Sequence, residues 1–211
     1  MKRFIVILAL CGQIGMLGAQ EPEPRTNTFL MFLHAGYGNL PSKTLGLTNR
    51  SADYTKKLQS GASWNAQLYF KHKMLIVGMM YSGYTSKGAL EHSSDRLLSN
   101  YIAPQIGMHI PTGKIFSLGW NVGFGGLIYN NNSTVYEKPR ELKGSALGAN
   151  LGVRGIFNIT PNFGVSVEIM SILASLNKTH NNYHDEIIEV IYIPSLSMHQ
   201  FTFSLGFKYS L

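Results

Sequence analysis

The chain has 211 residues, of which only 14% are charged and 45% are hydrophobic. A soluble domain carries about 25% charged residues, so this composition argues against a surface covered by water throughout. The formal charge is +7, but there is no run of lysines and arginines, which argues against nucleic acid as a partner.

The first residues follow the order of an export signal. Lys2 and Arg3 are positive, Phe4 to Leu10 are apolar, and small residues lead to Leu17-Gly18-Ala19. The apolar run is far short of the about 20 residues that a transmembrane helix needs. Residues 1–19 are therefore predicted to be a signal peptide, 20–27 a short N-terminal segment and 28–211 a single barrel domain. Leu10 is too large to precede a lipidated Cys11, and Cys11 leaves with the signal, so the mature chain can form no disulfide. Removing Lys2 and Arg3 as well leaves 16 basic against 11 acidic residues, a modest excess that suits the phosphates of lipopolysaccharide.

Beyond residue 20 the recurrent signal is alternation with period two, which marks a strand with two different faces. Strands are predicted at about residues 28–38, 60–70, 74–85 and 98–110. Over 116–128, Phe116, Leu118, Trp120, Val122, Phe124 and Ile128 share one face, opposite Ser117, Gly119, Asn121, Gly123 and Gly125. The next strand sets Leu147, Ala149, Leu151, Val153 and Phe157 against Gly148, Asn150, Gly152, Arg154 and Asn158. A further strand has Phe163, Val165, Val167 and Ile169 against Gly164, Ser166 and Glu168, and the last alternates from Phe201 to Leu211. That makes eight.

Tight connections are expected at Lys71–Lys73, Pro111–Lys114 and Thr160–Asn162, and long polar ones near 39–59, 86–97, 131–143 and 177–195. Outer-membrane barrels have this asymmetry of short periplasmic turns and long external loops. A core built from glycine, serine and asparagine would bury little apolar surface, worth about 25 cal/mol per Å², so the bulky face must look outward into lipid. Phe70, Phe116, Phe157, Phe163, Phe207 and Tyr209 are then placed for an interfacial girdle. The expected fold is all-β: an eight-stranded antiparallel up-and-down transmembrane β-barrel.

The terminal Phe201-x-Phe203-x-Leu205-x-Phe207-x-Tyr209-x-Leu211 resembles the C-terminal strand by which outer-membrane barrels engage their assembly machinery, although an aromatic residue usually stands last. The mature chain, with Tyr101-Ile102-Ala103-Pro104 and Thr160-Pro161-Asn162-Phe163, is similar to the small outer-membrane β-barrel domain proteins, and in strand number to OmpA-type and OmpX-type barrels. The resemblance implies a place in the bacterial outer membrane, among lipid and lipopolysaccharide. It implies no cofactor and no particular ligand for the external loops.

Three constellations could carry chemistry. In a hairpin symmetric about Pro161, Arg154 and Glu168 face each other on the inner side, within reach of Asn121, Asn150, Gln67 or His34. A structural ion pair in a filled lumen is expected, rather than a proton or substrate site. Glu91-His92-Ser93-Ser94-Asp95 contains the residue types of a nucleophilic set and faintly resembles an element of lipid A deacylases. However, triad members meet in space rather than in sequence, and a solvated loop is expected. His180 and His184, beside Asp185 and Glu186, have a spacing that suits a metal only on a helix, and an irregular loop is expected there. Catalytic, cofactor and metal sites are thus not expected. The leading function is a non-enzymatic structural or surface-interaction role in the envelope. The alternatives are a lipid A-modifying, deacylase-like enzyme and a small channel or translocon accessory.

Overall fold

A computed structural model describes residues 27–40, 52–90, 93–113, 115–135, 138–183 and 186–211. The predicted signal peptide and most of the segment after it lie outside these residues. Eight strands run in chain order around a closed barrel: β1 (Asn27–Asn39), β2 (Ser60–His72), β3 (Leu75–Leu90), β4 (Ser93–Pro111), β5 (Phe116–Val135), β6 (Lys138–Asn158), β7 (Phe163–Tyr183) and β8 (Glu186–Ser210). Each pairs antiparallel with its neighbours, and β1 closes on β8 from Leu30↔Ser210 to Asn39↔Phe201.

Alternation becomes inside and outside as expected. Along β8, Phe201, Phe203, Leu205, Phe207 and Tyr209 are exposed, while Gln200, Thr202, Ser204, Lys208 and Ser210 are buried. The outer wall continues with Phe29, Leu33, Leu68, Val77, Ile102, Ile106, Phe124, Leu151 and Ile169, all exposed. Soluble monomers rarely leave an apolar patch beyond a few hundred Å² uncovered; a belt around the whole barrel faces lipid. All six aromatics expected at the short-turn end are exposed there, with Phe29 and Phe70 5.4 Å apart edge-on and Phe163 and Phe207 stacked at 5.7 Å. Tyr37 and Tyr81 lie toward the other end on the same wall. From Phe29 to Tyr37 the strand rises about 27 Å, or about 21 Å along the membrane normal at the usual tilt, close to the height of an outer-membrane apolar band.

Two expectations are corrected. The regions near 86–97, 131–143 and 177–195 are not long loops. The ladders continue through them, to Leu90↔Ser93, Val135↔Lys138 and Tyr183↔Glu186. The strands extend beyond the lipid, where the outward face meets water and strict alternation is no longer required. A ladder needs only backbone partners, so it persists. The region 39–59 holds a helix, α1 (Ala52–Gln59), with Lys56 and Lys57 in its last turn, where they complement the helix dipole. Tyr54 and Leu58, one turn apart on the same face, are 1% and 2% exposed. The Tyr54 hydroxyl donates to the Asp95 carboxylate, Tyr84 donates to Gln59 O at 3.0 Å, and Leu58 packs against Gly88. Asp95, Tyr84 and Gly88 point inward, so α1 sits in the outer mouth.

The interior also departs from expectation. Polar side chains do not fill all of it. Toward the outer end, Leu40, Met80, Tyr84, Leu97, Tyr101, Leu127, Tyr129, Met170, Ile172, Leu176 and Met198 form a buried apolar cluster inside the barrel. Burying each such side chain contributes roughly 1.5–3 kcal/mol. A smaller cluster of Leu30, Phe32, Tyr69, Ile76 and Ile156 lies near the short turns.

Candidate functional site

Between the two apolar clusters lies the only described arginine–carboxylate pair in which both partners are almost completely buried. Arg154 on β6 and Glu168 on β7 are direct cross-strand partners, as are Phe157 and Val165 three residues nearer the turn. They are 1% and 0% exposed, and Arg154 Nη2 stands 3.3 Å from Glu168 Oε1. The tight turn around Pro161 sets this register, and barrel closure sends both side chains into the lumen.

The far wall completes the carboxylate's shell. Asn65 Nδ2 donates to Glu168 Oε2 at 2.9 Å, and Gln67 Nε2 donates to the carboxylate and to Asn65 Oδ1, at 2.9 Å each. His34 Nδ1 approaches Asn65 Oδ1 at 3.0 Å and its Nε2 approaches Ser166 Oγ at 2.8 Å. With Nδ1 on an amide oxygen, His34 donates there and accepts the serine hydroxyl at Nε2. Arg154 Nη2 donates to Tyr69 Oη at 3.1 Å and to Asn121 Oδ1. Its Nε and Nη1 have no hydrogen-bond partner, and the guanidinium lies over the Phe32 ring, 4.3 Å from the centroid. The ring face thus takes part of the charge that hydrogen bonds leave.

Above this set, Asn121 Nδ2 donates to Gln105 Oε1 at 2.7 Å, and Gln105 and Asn150 exchange hydrogen bonds of 2.8 and 3.1 Å. Tyr101 donates to Asn150 Oδ1 at 3.2 Å. The space is available because the facing positions are glycines. A Cβ on Gly123 would stand 2.1 Å from Gln105 Nε2, and one on Gly152 would stand 2.8 Å from Asn121 Oδ1.

Of the four partners named from sequence, Gln67, Asn121 and His34 meet the pair directly or through one residue, and Asn150 joins through Gln105. Tyr69, Asn65, Phe32, Ser166 and Gln105 were not foreseen. Each sits at an inward strand position, but only closure shows which inward positions meet across the lumen. Glu91 and His92 lie outside the described residues. Ser94 is exposed and Asp95 is buried, accepting from Tyr54 and, at 3.3 Å, from Asn131 Nδ2, so its carboxylate anchors α1. His180 is exposed on strand β7, not on an irregular loop, while His184 and Asp185 lie outside the described residues. Among the described residues no three His, Cys, Asp or Glu side chains cluster as metal ligands would.

No protein family and no curated protein matches the chain. Solved structures do. A major outer membrane protein from Thermus thermophilus is similar over 88% of this chain and 99% of its own, with a TM-score of 0.61 at 14% identity. Neisserial surface protein A is similar over 86% and 96%, with a TM-score of 0.55 at 12% identity. Ail, the attachment invasion locus protein of Yersinia pestis, in complex with the heparin analogue sucrose octasulfate, is similar over 88% and 98%, with a TM-score of 0.51 at 12% identity. The fold is that of bacterial outer-membrane β-barrels. At this identity the likeness is one of fold, and it agrees with the apolar wall of this chain, which requires lipid around it. The protein is an outer-membrane barrel.

Proposed function

We propose that this barrel is a non-enzymatic protein that contributes to envelope integrity and presents its outer hairpins for recognition. The observation that carries this reading is the way the interior is used. Arg154 and Glu168 neutralise each other inside a set of amide and hydroxyl partners, and the apolar cluster fills the passage above them. An eight-stranded lumen is only wide enough for side chains. A permeation path would need polar groups facing continuous water. An enzyme acting on lipid A would need a nucleophile and base on the lipid-facing wall, which here consists mainly of residues such as Leu33, Ile106, Phe124 and Leu151.

Lipopolysaccharide phosphates are the natural neighbours of the exposed basic residues toward the outer end, among them Lys56, Lys57, Lys87, Arg96, Lys138 and Lys143. The alternating last strand suits engagement by the assembly machinery during insertion. Ail in complex with a sulfated sugar makes anionic saccharide the first class of external ligand to try.

Two measurements test the reading. Reconstituted into planar bilayers, the protein is expected to show no unitary conductance; reproducible current steps would overturn the closed-body reading. In vesicles containing lipopolysaccharide it is expected to unfold more slowly than in phosphatidylcholine. Replacing the six basic residues by glutamine should abolish that difference, and a difference that survives would remove the charge argument.

A further inference from the structure

At the short-turn end of the lumen, two lysines and a histidine converge without an acidic side chain to balance the lysines. Lys71 on β2, His109 on β4 and Lys208 on β8 line one cleft of about 300 Å³ together with Thr28, Ser210, Asn162 and Leu211, whose carboxyl O accepts from Phe29 N at 3.2 Å. The three strands are remote in sequence, and closure aims their inward positions at one another. Lys208 is 4% exposed and His109 5%, while Lys71 is half-buried. Lys208 Nζ donates to Asn158 Oδ1 at 2.9 Å, which uses one of its three N–H bonds. Among the described residues no carboxylate lies within 4 Å of Lys71 or Lys208, and Glu168, further up the lumen, is held by Arg154. The described short turns contain no acidic residue.

Like charges in a mouth with low-dielectric walls focus the field on the space between them. Burying lysines without a counter-ion is costly, and an anion in the cleft relieves that cost. We propose that the cleft is a binding site for a phosphomonoester, entered from the periplasmic side. Lysine binds phosphate as a point charge, whereas planar two-point recognition of carboxylate is the habit of arginine, and the arginine of this lumen is already engaged. The hydroxyls of Thr28 and Ser210 and the amide of Asn162 offer further donors from several directions, as a tetrahedral oxyanion can use. The volume exceeds that of bare phosphate and stands at the lower end of ligand pockets, so it takes a phosphate carrying a short organic group. That group can belong to a soluble ester or to a lipid headgroup.

The test uses the full barrel folded in detergent micelles, with folding checked by the gel shift between unboiled and boiled samples. Inorganic phosphate, glycerol 3-phosphate and short-chain phosphatidic acid are titrated while the phosphorus NMR signal is followed, with sodium chloride at matched ionic strength as control. Saturable binding of an ester is expected. It should weaken by about tenfold or more in Lys71→Met and in Lys208→Met and stay unchanged in Lys73→Met, an exposed lysine of the same end that does not line the cleft. Tighter binding of glycerol 3-phosphate identifies a soluble ester, and tighter binding of phosphatidic acid a headgroup. If Lys208→Met does not fold, Lys71→Met decides, because that side chain is only half-buried. Absence of saturable binding in the wild type, or equal binding in folded variants, overturns the site.

Discussion

Along the inward face of β7, Ser166 and Glu168 are followed by Met170, Ile172, Ala174 and Leu176, all buried. Within four residues one strand passes from a lumen organised by direction to one organised by shape. Around Glu168, each partner is held by a donor and acceptor at set geometry, and a missing member leaves a charge stranded in low dielectric. Around Ile172, side chains are held only by contact, and a missing methyl leaves a void. The same eight-stranded tube is thus filled in two ways, whose failures should differ in size and in how they are rescued.

The largest expected effect is at the ion pair. Glu168→Gln keeps the shape but strands Arg154, and should lower stability by about 3–5 kcal/mol. Urea unfolding of the reconstituted barrel, followed by Trp64 and Trp120 fluorescence, measures it. The double variant Arg154→Met with Glu168→Gln should recover most of the loss, because removing both charges removes the penalty. Equal stability of wild type and Glu168→Gln would mean that the charge is not buried as described.

Ile172→Ala should cost about 2–4 kcal/mol through lost burial and the cavity left behind. Here no second truncation should help, and the shape-conserving Met170→Leu should cost less than about 1.5 kcal/mol. A rescue at Ile172 by truncating a facing residue would blur the distinction between the two regions. The smallest effect belongs to the cap. Leu58→Ala should loosen α1, seen as faster proteolysis within residues 52–59, with the barrel's own unfolding shifted by roughly 1 kcal/mol or less. A loss as large as that of Ile172→Ala would make α1 part of the core rather than a cover.

Much of the barrel was legible before its structure. In β8 the alternation is unbroken from Phe201 onward, and its two faces are the lipid wall and the lumen. The Arg154↔Glu168 pairing followed from the tight turn alone, since a short hairpin leaves little freedom of register. The apolar lumen was not legible. In Ile169-Met170-Ser171-Ile172-Leu173-Ala174 both faces carry apolar residues, so the period disappears. The extended outer strands were missed because their alternation is broken: both faces are polar at Asn130-Asn131-Asn132-Ser133, and both carry apolar residues at Ile187-Ile188 and Ile191-Tyr192-Ile193. Helix α1 is too short for its periodicity to stand out, and its apolar pair, Tyr54 and Leu58, means little until a barrel mouth lies beside it.

By itself the sequence determined the strand class, the number of strands, the lipid-facing wall and the local register of the hairpin at Pro161. These depend on neighbours in the chain, because successive side chains of a strand must point to opposite faces. Tertiary structure alone decided which inward residues meet: Gln67 and Asn65 with Glu168, Phe32 beneath Arg154, and Lys71, His109 and Lys208 at one mouth. Those encounters depend on closure, stagger and diameter, which belong to the barrel as a whole and to no segment of it.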